Sequence, residues 1–519
     1  MAIKVVLVAL AVVVAVPLSG LAQPEQLGKV TFPTSCDSRV QSQFERGVAM
    51  LHSYWFTEGR KVFEAVLQQD ASCAMAYWGL AVTALGNSLA APPAPKDAAA
   101  AWAALEKARA VGAKTQRERD WIEAIAAYYR DHDSAPLSTR LAAYTRAMEQ
   151  MTQRYPDDFE AWTYYALTLQ ASAPKNDKAY ASQLKSAEIL ERLFTQNPDH
   201  PGVAHYLVHA YDYPPLADKG IRIAAIYQRI APAAPHARHM PSHIYSMVGM
   251  WEESIASNRS ALEIQPDYRH ATDFMVYAHL QLGQDVRAKT LVDAIAALPR
   301  PDSASVPGVT AITAIPARYV LERGDWAGAA GLRMTPTGRP QGDSLTRFTR
   351  GLGMARSGDL AGAKGEVQAM QALRGALATS NQSYWAERTD EQMLAVSAWV
   401  ALAEGATDQA VKLMRAAADG EDGSVKHVAM ENRLYPMREL LGELLLQMGQ
   451  AAPALREFEA SLRENPNRYR GLYGAARAAE VAGDRPKATE YFEKLMALAR
   501  KADTARPEIV HAKAFLGQR

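Results

Sequence analysis

The chain reads as an all-α array of stacked helix hairpins, and three features of its 519 residues point there. Ala and Leu are abundant while strand-type runs are scarce. Gly and Pro recur as punctuation between apolar stretches. Pro198, Pro232 and Pro266 are spaced by 34 residues, as are Gly249 and Gly283. A fixed period of that length marks hairpins that cannot bury their own apolar faces and must stack on neighbours to build a continuous core.

The first segment reads as a secretory leader. Lys4 is the only early charge, the run Val5 to Val16 is apolar, and Pro17 and Ser19-Gly20-Leu21-Ala22 follow, which suits cleavage after Ala22. The run is shorter than the about 20 apolar residues that a membrane span needs. The expected order is a signal peptide over 1–22, an N-terminal array over 23–300 and a C-terminal array over 301–519. The mature chain would be exported, to a periplasmic or extracellular space, with no transmembrane span. The 57 basic and 56 acidic residues leave a formal charge of +1, which gives no footprint for nucleic acid or an anionic membrane.

The repeat can be followed along the chain. Gly47, Gly59 and Phe63 mark a first unit near residues 40–73. Ser254 and Ala288 follow Gly249 and Gly283 at matching distances, and Gly324-Asp325-Trp326 and Gly358-Asp359-Leu360 are two inter-helix turns again 34 apart. Gly405 marks another turn. The segment Arg438 to Pro466 carries Leu441-Gly442, Gly449, Ala454, Phe458 and Pro466, and the next unit repeats it 34 residues on with Ala476, Gly483, Ala488 and Phe492. This spacing resembles the tetratricopeptide (TPR) repeat, which implies a right-handed superhelix of roughly ten or eleven units at this period. Loops are expected at Ala90 to Pro95, Pro299 to Pro307, Thr335 to Ser344 and Asp419 to Val425, with 299–309 as the boundary between the arrays.

Cys36 and Cys73 are the only cysteines, and they bracket the first hairpin. Antiparallel helices bring those ends together, so an exported chain is expected to bridge them, with about 3–4 kcal/mol gained by loop closure. Their spacing is not that of a C-x-x-C redox pair.

Eight of the 12 histidines lie between His200 and His279. With Pro201 and Pro235 as first positions of successive units, His205 and His239 share position 5, and His209 and His243 share position 9. Asp212 falls at position 12 and His236 at position 2. One unit on, from Arg269, His270, Asp273 and Tyr277 take positions 2, 5 and 9. These positions share the helix face opposite the hairpin packing, which lines the concave groove of such arrays. Two imidazoles at i, i+4 on neighbouring helices suit Zn, Cu, Ni or Fe. The expected ligands are His205, His209, His239, His243 and Asp212, with His236, His270, Asp273 and Tyr277 behind them or along the groove. Pro241 interrupts the helix that carries His239 and His243, so that helix must kink or start late. Asp212, beside Tyr213-Pro214-Pro215, falls near a helix end. His279 reads as a core residue, His200 as part of a turn, and His52, His132, His427 and His511 as surface residues. Trp78 and Met75 sit at groove positions of the second unit.

Several blocks are similar to a group of exported bacterial TPR proteins without an assigned activity. They are Phe32-Pro33-Thr34-Ser35-Cys36, Ser72 to Gly79, His205 to Pro215 and His236 to Tyr245, and that resemblance spans residues 32–290. It implies a scaffold that binds a protein or peptide partner in its groove and adds weight to the histidine site. The alternative is a metal-dependent hydrolase-like enzyme or a metal carrier. No H-E-x-x-H, G-x-S-x-G, P-loop or dinucleotide fingerprint occurs.

Overall fold

The computed structural model describes residues 25–299, 306–380, 382–426 and 433–517. The leader, most of the 299–307 loop and His427 lie outside the described residues. After a 3-10 turn at Ser38–Val40 the chain forms α1 (Gln41–His52), α2 (Phe56–Gln69), α3 (Ala74–Leu85), α4 (Pro95–Val111), α5 (Gln116–Tyr129), α6 (Leu137–Arg154), α7 (Phe159–Ala171) and α8 (Ala181–Gln196). Next come α9 (Pro201–Tyr211), α10 (Ala217–Ile230), α11 (Pro235–His239), α12 (Pro241–Met247), α13 (Trp251–Ile264), α14 (Arg269–Gln281) and α15 (Asp285–Ala297). The later part holds α16 (Val306–Leu321), α17 (Trp326–Ala330), α18 (Pro340–Ser357), α19 (Leu360–Thr379), α20 (Ser383–Ala403) and α21 (Thr407–Asp422). It ends with α22 (Met437–Gln447), α23 (Ala451–Glu464), α24 (Tyr469–Val481), α25 (Arg485–Leu498) and α26 (Pro507–Phe515). With α11 and α12 taken as one bent rod, α1 to α25 pair consecutively into twelve hairpins and α26 covers the last. This is a TPR-type helix-hairpin solenoid. It holds more pairs than the glycine period reveals, because hairpins such as α5–α6 and α7–α8 lack the glycine turn. Among the described residues there is no strand, and no helix is long and apolar enough to cross a membrane.

The stacking logic is visible at single residues. A Cβ on Gly47 or Gly79 would meet the Phe63 ring at 2.8 and 2.5 Å, so one phenyl group is clamped between the first helices of two successive hairpins. Phe458 is held the same way between Gly442 and Gly474. Asp325 and Asp359, after their glycines, cap the next helix by accepting from the N–H of Gly328 and Gly362. Two of the expected loops are partly helical: α18 starts at Pro340 and α21 runs to Asp422.

Cys36 and Cys73 are joined by a disulfide across the first hairpin. Trp78 and Met75 are fully buried and line no groove. The Trp78 indole packs on Phe32, Trp121 and Tyr164 at 5.3, 5.5 and 5.9 Å.

The apolar core continues across residues 299–306, where Val276, Leu280 and Ala288 pack with Ala311 and Ile315. The array then curls back on itself. Trp251 Nε1 donates to Asn467 O at 2.8 Å, the Tyr469 N–H donates to Gln281 Oε1 at 2.8 Å, and Asp503 accepts from the N–H groups of Val286 and Arg287 at the start of α15. Gly249 allows this approach: its φ is +72° and a Cβ there would lie 2.5 Å from Pro466 O. Val425, between α21 and α22, is buried in the N-terminal core and its N–H donates to Lys175 O at 2.9 Å.

Candidate metal centre

The curling changes the setting of the histidine stripe. A solvated groove was expected; instead every residue of α9 and of α12 is buried. Tyr54, in the turn between α1 and α2, covers the stripe from one side: its ring lies 4.4 Å from that of His205, 6.1 Å from His209 and 5.2 Å from His236. Lys426 covers it from the other, with Nζ 2.7 Å from Asp212 Oδ2.

Pro241 both bends the helix and opens its second segment. Met240 keeps helical angles (φ −52°, ψ −35°), so α11 and α12 form a bent rod with Pro241 at the first position of α12. His239 is therefore helical. Asp212 lies one residue past the end of α9, where φ −75° and ψ 53° turn its carboxylate toward α12.

The four expected imidazoles do not form one tetrahedral set. They separate into two neighbouring sets, each completed by a histidine the register had put behind them. His205, His209 and His236 form the first; His239, His243 and His270 form the second. Within each, the candidate ligand atoms lie within 4.8 Å of one another. His209, Asp212 and His243 form a third such group, which joins the two, and the His209 and His243 rings are 5.6 Å apart.

The hydrogen bonds assign the tautomers. Burial holds all these imidazoles below their ordinary range, His205 at about 3 and His239 at about 4, so the rings are neutral and each carries one N–H. His205 Nδ1 faces the carbonyl of His52 at 2.6 Å, which only accepts, so Nδ1 carries the proton. His239 Nδ1 lies 2.6 Å from Asn258 Oδ1, and the Asn258 amide is oriented by donating Nδ2–H to Ser254 O at 2.8 Å. His243 Nδ1 donates to Asp212 Oδ2 at 2.8 Å. The Nε2 atoms of His205 and His239 are therefore unprotonated. His239 Nε2 and His243 Nε2 face each other at 3.0 Å, and His205 Nε2 faces His236 Nε2 at 3.0 Å. His236 Nδ1 lies 2.9 Å from Tyr268 OH, which serves as donor or acceptor. Both ring nitrogens of the buried His209, and Oδ1 of Asp212, have no hydrogen-bond partner.

Asp273 and Tyr277 belong elsewhere. Asp273 accepts from Arg318 Nε at 2.8 Å and the Tyr277 hydroxyl accepts from Arg468 at 2.6 Å. His279 is buried and bonded to Gln284, in keeping with a core residue. His132 and His511 are half-buried.

His52 is not a surface residue. It is fully buried with Glu160 and His200. Its Nε2 and His200 Nε2 contact the two oxygens of Glu160 at 2.9 and 2.8 Å, its Nδ1 contacts Tyr206 OH at 3.0 Å, and His200 Nδ1 accepts the Val203 N–H that opens α9. Burial works to raise the Glu160 carboxyl, yet the flanking imidazoles hold it below its usual range. Every ring nitrogen here has a partner, so this group is a brace that presents the His52 carbonyl to His205. The one signal for it was Glu160, the only charged residue in the aromatic and apolar α7.

A small cavity opens beside the first set, lined by Gln170, Lys175, His209, Asp212 and Lys426 among others, with room for roughly one water molecule.

No protein-family model matches the chain, and no curated protein does. Among solved structures it is similar to a chain of Naa15/Naa10 bound to HypK-THB, at 13% identity over 91% of this chain and 72% of that one, with a TM-score of 0.26.

Proposed function

We propose that this chain is a metalloprotein that holds two divalent transition-metal ions, one in each three-histidine set. The observation that carries the reading is the convergence of three imidazoles in each set, with candidate ligand atoms within 4.8 Å of one another. His239 Nε2 and His243 Nε2, and likewise His205 Nε2 and His236 Nε2, lie 3.0 Å apart. Imidazole–zinc bonds of about 2.0–2.1 Å would place neighbouring ligand nitrogens about 2.9–3.4 Å apart. Metal-binding imidazoles hand their other N–H to a carbonyl or carboxylate, and His52 O, Asn258 Oδ1 and Asp212 Oδ2 fill that role here. Three neutral imidazoles per ion suit Zn, Cu, Ni or Fe. Such a set leaves a coordination position for water, which a bound ion makes more acidic, and this is the basis for a hydrolytic role.

Export is part of the proposal: the leader-like segment 1–22 and the disulfide fit an oxidising compartment. A protein or peptide partner would have to dock on another face of the array, since the chain's own later half fills the histidine-lined one.

Elemental analysis after dialysis against zinc or cobalt tests this reading. Two ions per chain are expected, one in His239→Ala plus His270→Ala and one in His205→Ala plus His236→Ala. A wild-type chain that retains no metal, and whose melting ignores chelator, rejects the proposal.

A further inference from the structure

We propose that the cavity beside the first histidine set binds a small inorganic anion, with the Lys175 ammonium as its anchor. The inference deepens the metal reading, but the residues that would hold the anion are in place independently of any ion.

Lys175 lies in the turn after α7, and its carbonyl is pinned by the Val425 N–H at 2.9 Å. Its side chain reaches a cavity that also holds His209, Asp212 and Lys426. Among the described residues no carboxylate pairs with its ammonium; Lys426 instead takes Asp212, at 2.7 Å. The consequence appears in its proton affinity, which burial and the neighbouring Lys426 bring down to about 8. Two ammonium groups and one carboxylate give the cavity a net positive charge before any ion occupies the sets below.

The polar atoms left over are the right kind. A neutral His209 carries one N–H, yet neither of its nitrogens has a partner, so whichever nitrogen faces an ion the other offers a donor. Buried donors without acceptors are rare in folded proteins, and an anion in the cavity would supply the acceptor that His209 lacks. The space, with room for roughly one water molecule, limits the ligand to an anion of about one to three heavy atoms. Halide, azide and formate meet that limit; a nucleotide or peptide does not.

The test uses sodium azide on the full chain at constant ionic strength, in chelator-treated and cobalt-loaded forms. In both, azide at millimolar concentration should raise the melting temperature, and in the cobalt form it should also shift the visible absorption bands. Lys175→Met should weaken azide at least tenfold while the cobalt stoichiometry stays at the wild-type value; Lys175→Gln serves the same purpose if the Met variant folds poorly. An unaltered azide affinity in both variants, or no effect of azide on either form of the wild type, overturns the proposal. A chain that binds azide but no cobalt sinks the metal reading alone.

Discussion

The two halves of the array solve the same problem in opposite ways. In the later half, buried carboxylates meet cations that belong to the chain. Arg468 is fully buried, donates twice to Glu439 at 2.7 and 2.9 Å and to Glu322 at 2.8 Å, and Arg506 is locked on Asp285. In the earlier half, the matching interior is lined with neutral imidazoles whose ring nitrogens converge in sets of three. The change occurs within α14, where His270 joins the second histidine set and Asp273, three residues on, meets Arg318. A helix-hairpin array therefore tolerates a polar interior provided each group finds its opposite, and under the proposed metal reading one half would obtain that opposite from outside.

The comparison is easiest to break where the effects are largest. Arg468→Met strands Glu439 and Glu322 in the core and should cost about 3–5 kcal/mol in urea melts, equally with and without chelator. If chelator changes that loss, the halves are not independent. Stripping metal from the wild type should lower its stability by about 4 kcal/mol when the ion had been at a thousand times its Kd. That loss should shrink in His239→Ala plus His243→Ala. Asp212→Asn keeps the shape but weakens the acceptor on His243, so metal affinity should fall about 10–100-fold by competition titration.

The smallest effect is a pH dependence in the later half. Burial pushes the Glu391 carboxyl up to about 8 against the pull of Arg388. The folded state thus holds that proton more tightly than the unfolded chain. The resulting stabilisation is complete below about 4.5, the ordinary carboxyl value, and fades as pH rises through 8. Glu391→Gln should therefore gain on the wild type between pH 5 and pH 9, as read by thermal melts at both. A gain of the opposite sign would mean that the Arg388 ion pair dominates.

Much of this architecture was readable from the chain. Glycine-aspartate turns and the spacing of Gly47, Phe63 and Gly79 report local geometry that every stacked hairpin repeats. The same register brought out His205, His209, His239 and His243. It misplaced their partners, because the bend at Met240 turns His236 toward His205 and brings His239 and His243 to His270. It had no access to His52, Tyr54 or Lys426. Those residues reach the site through curling of the array, and curling depends on contacts such as Trp251 to Asn467, 216 residues apart, which no period encodes.

The closed interior also has a kinetic side. Once the last hairpins dock on the middle of the array, the histidine stripe lies behind Tyr54, Lys426 and the walls of α9 and α12. If the proposed ions are bound there, their exchange would wait for the docked end to detach, an event set by the seam at Trp251, Gln281 and Asp503 rather than by ligand strength. Loading before closure would leave an occupant trapped, slow to leave even where its equilibrium affinity is ordinary.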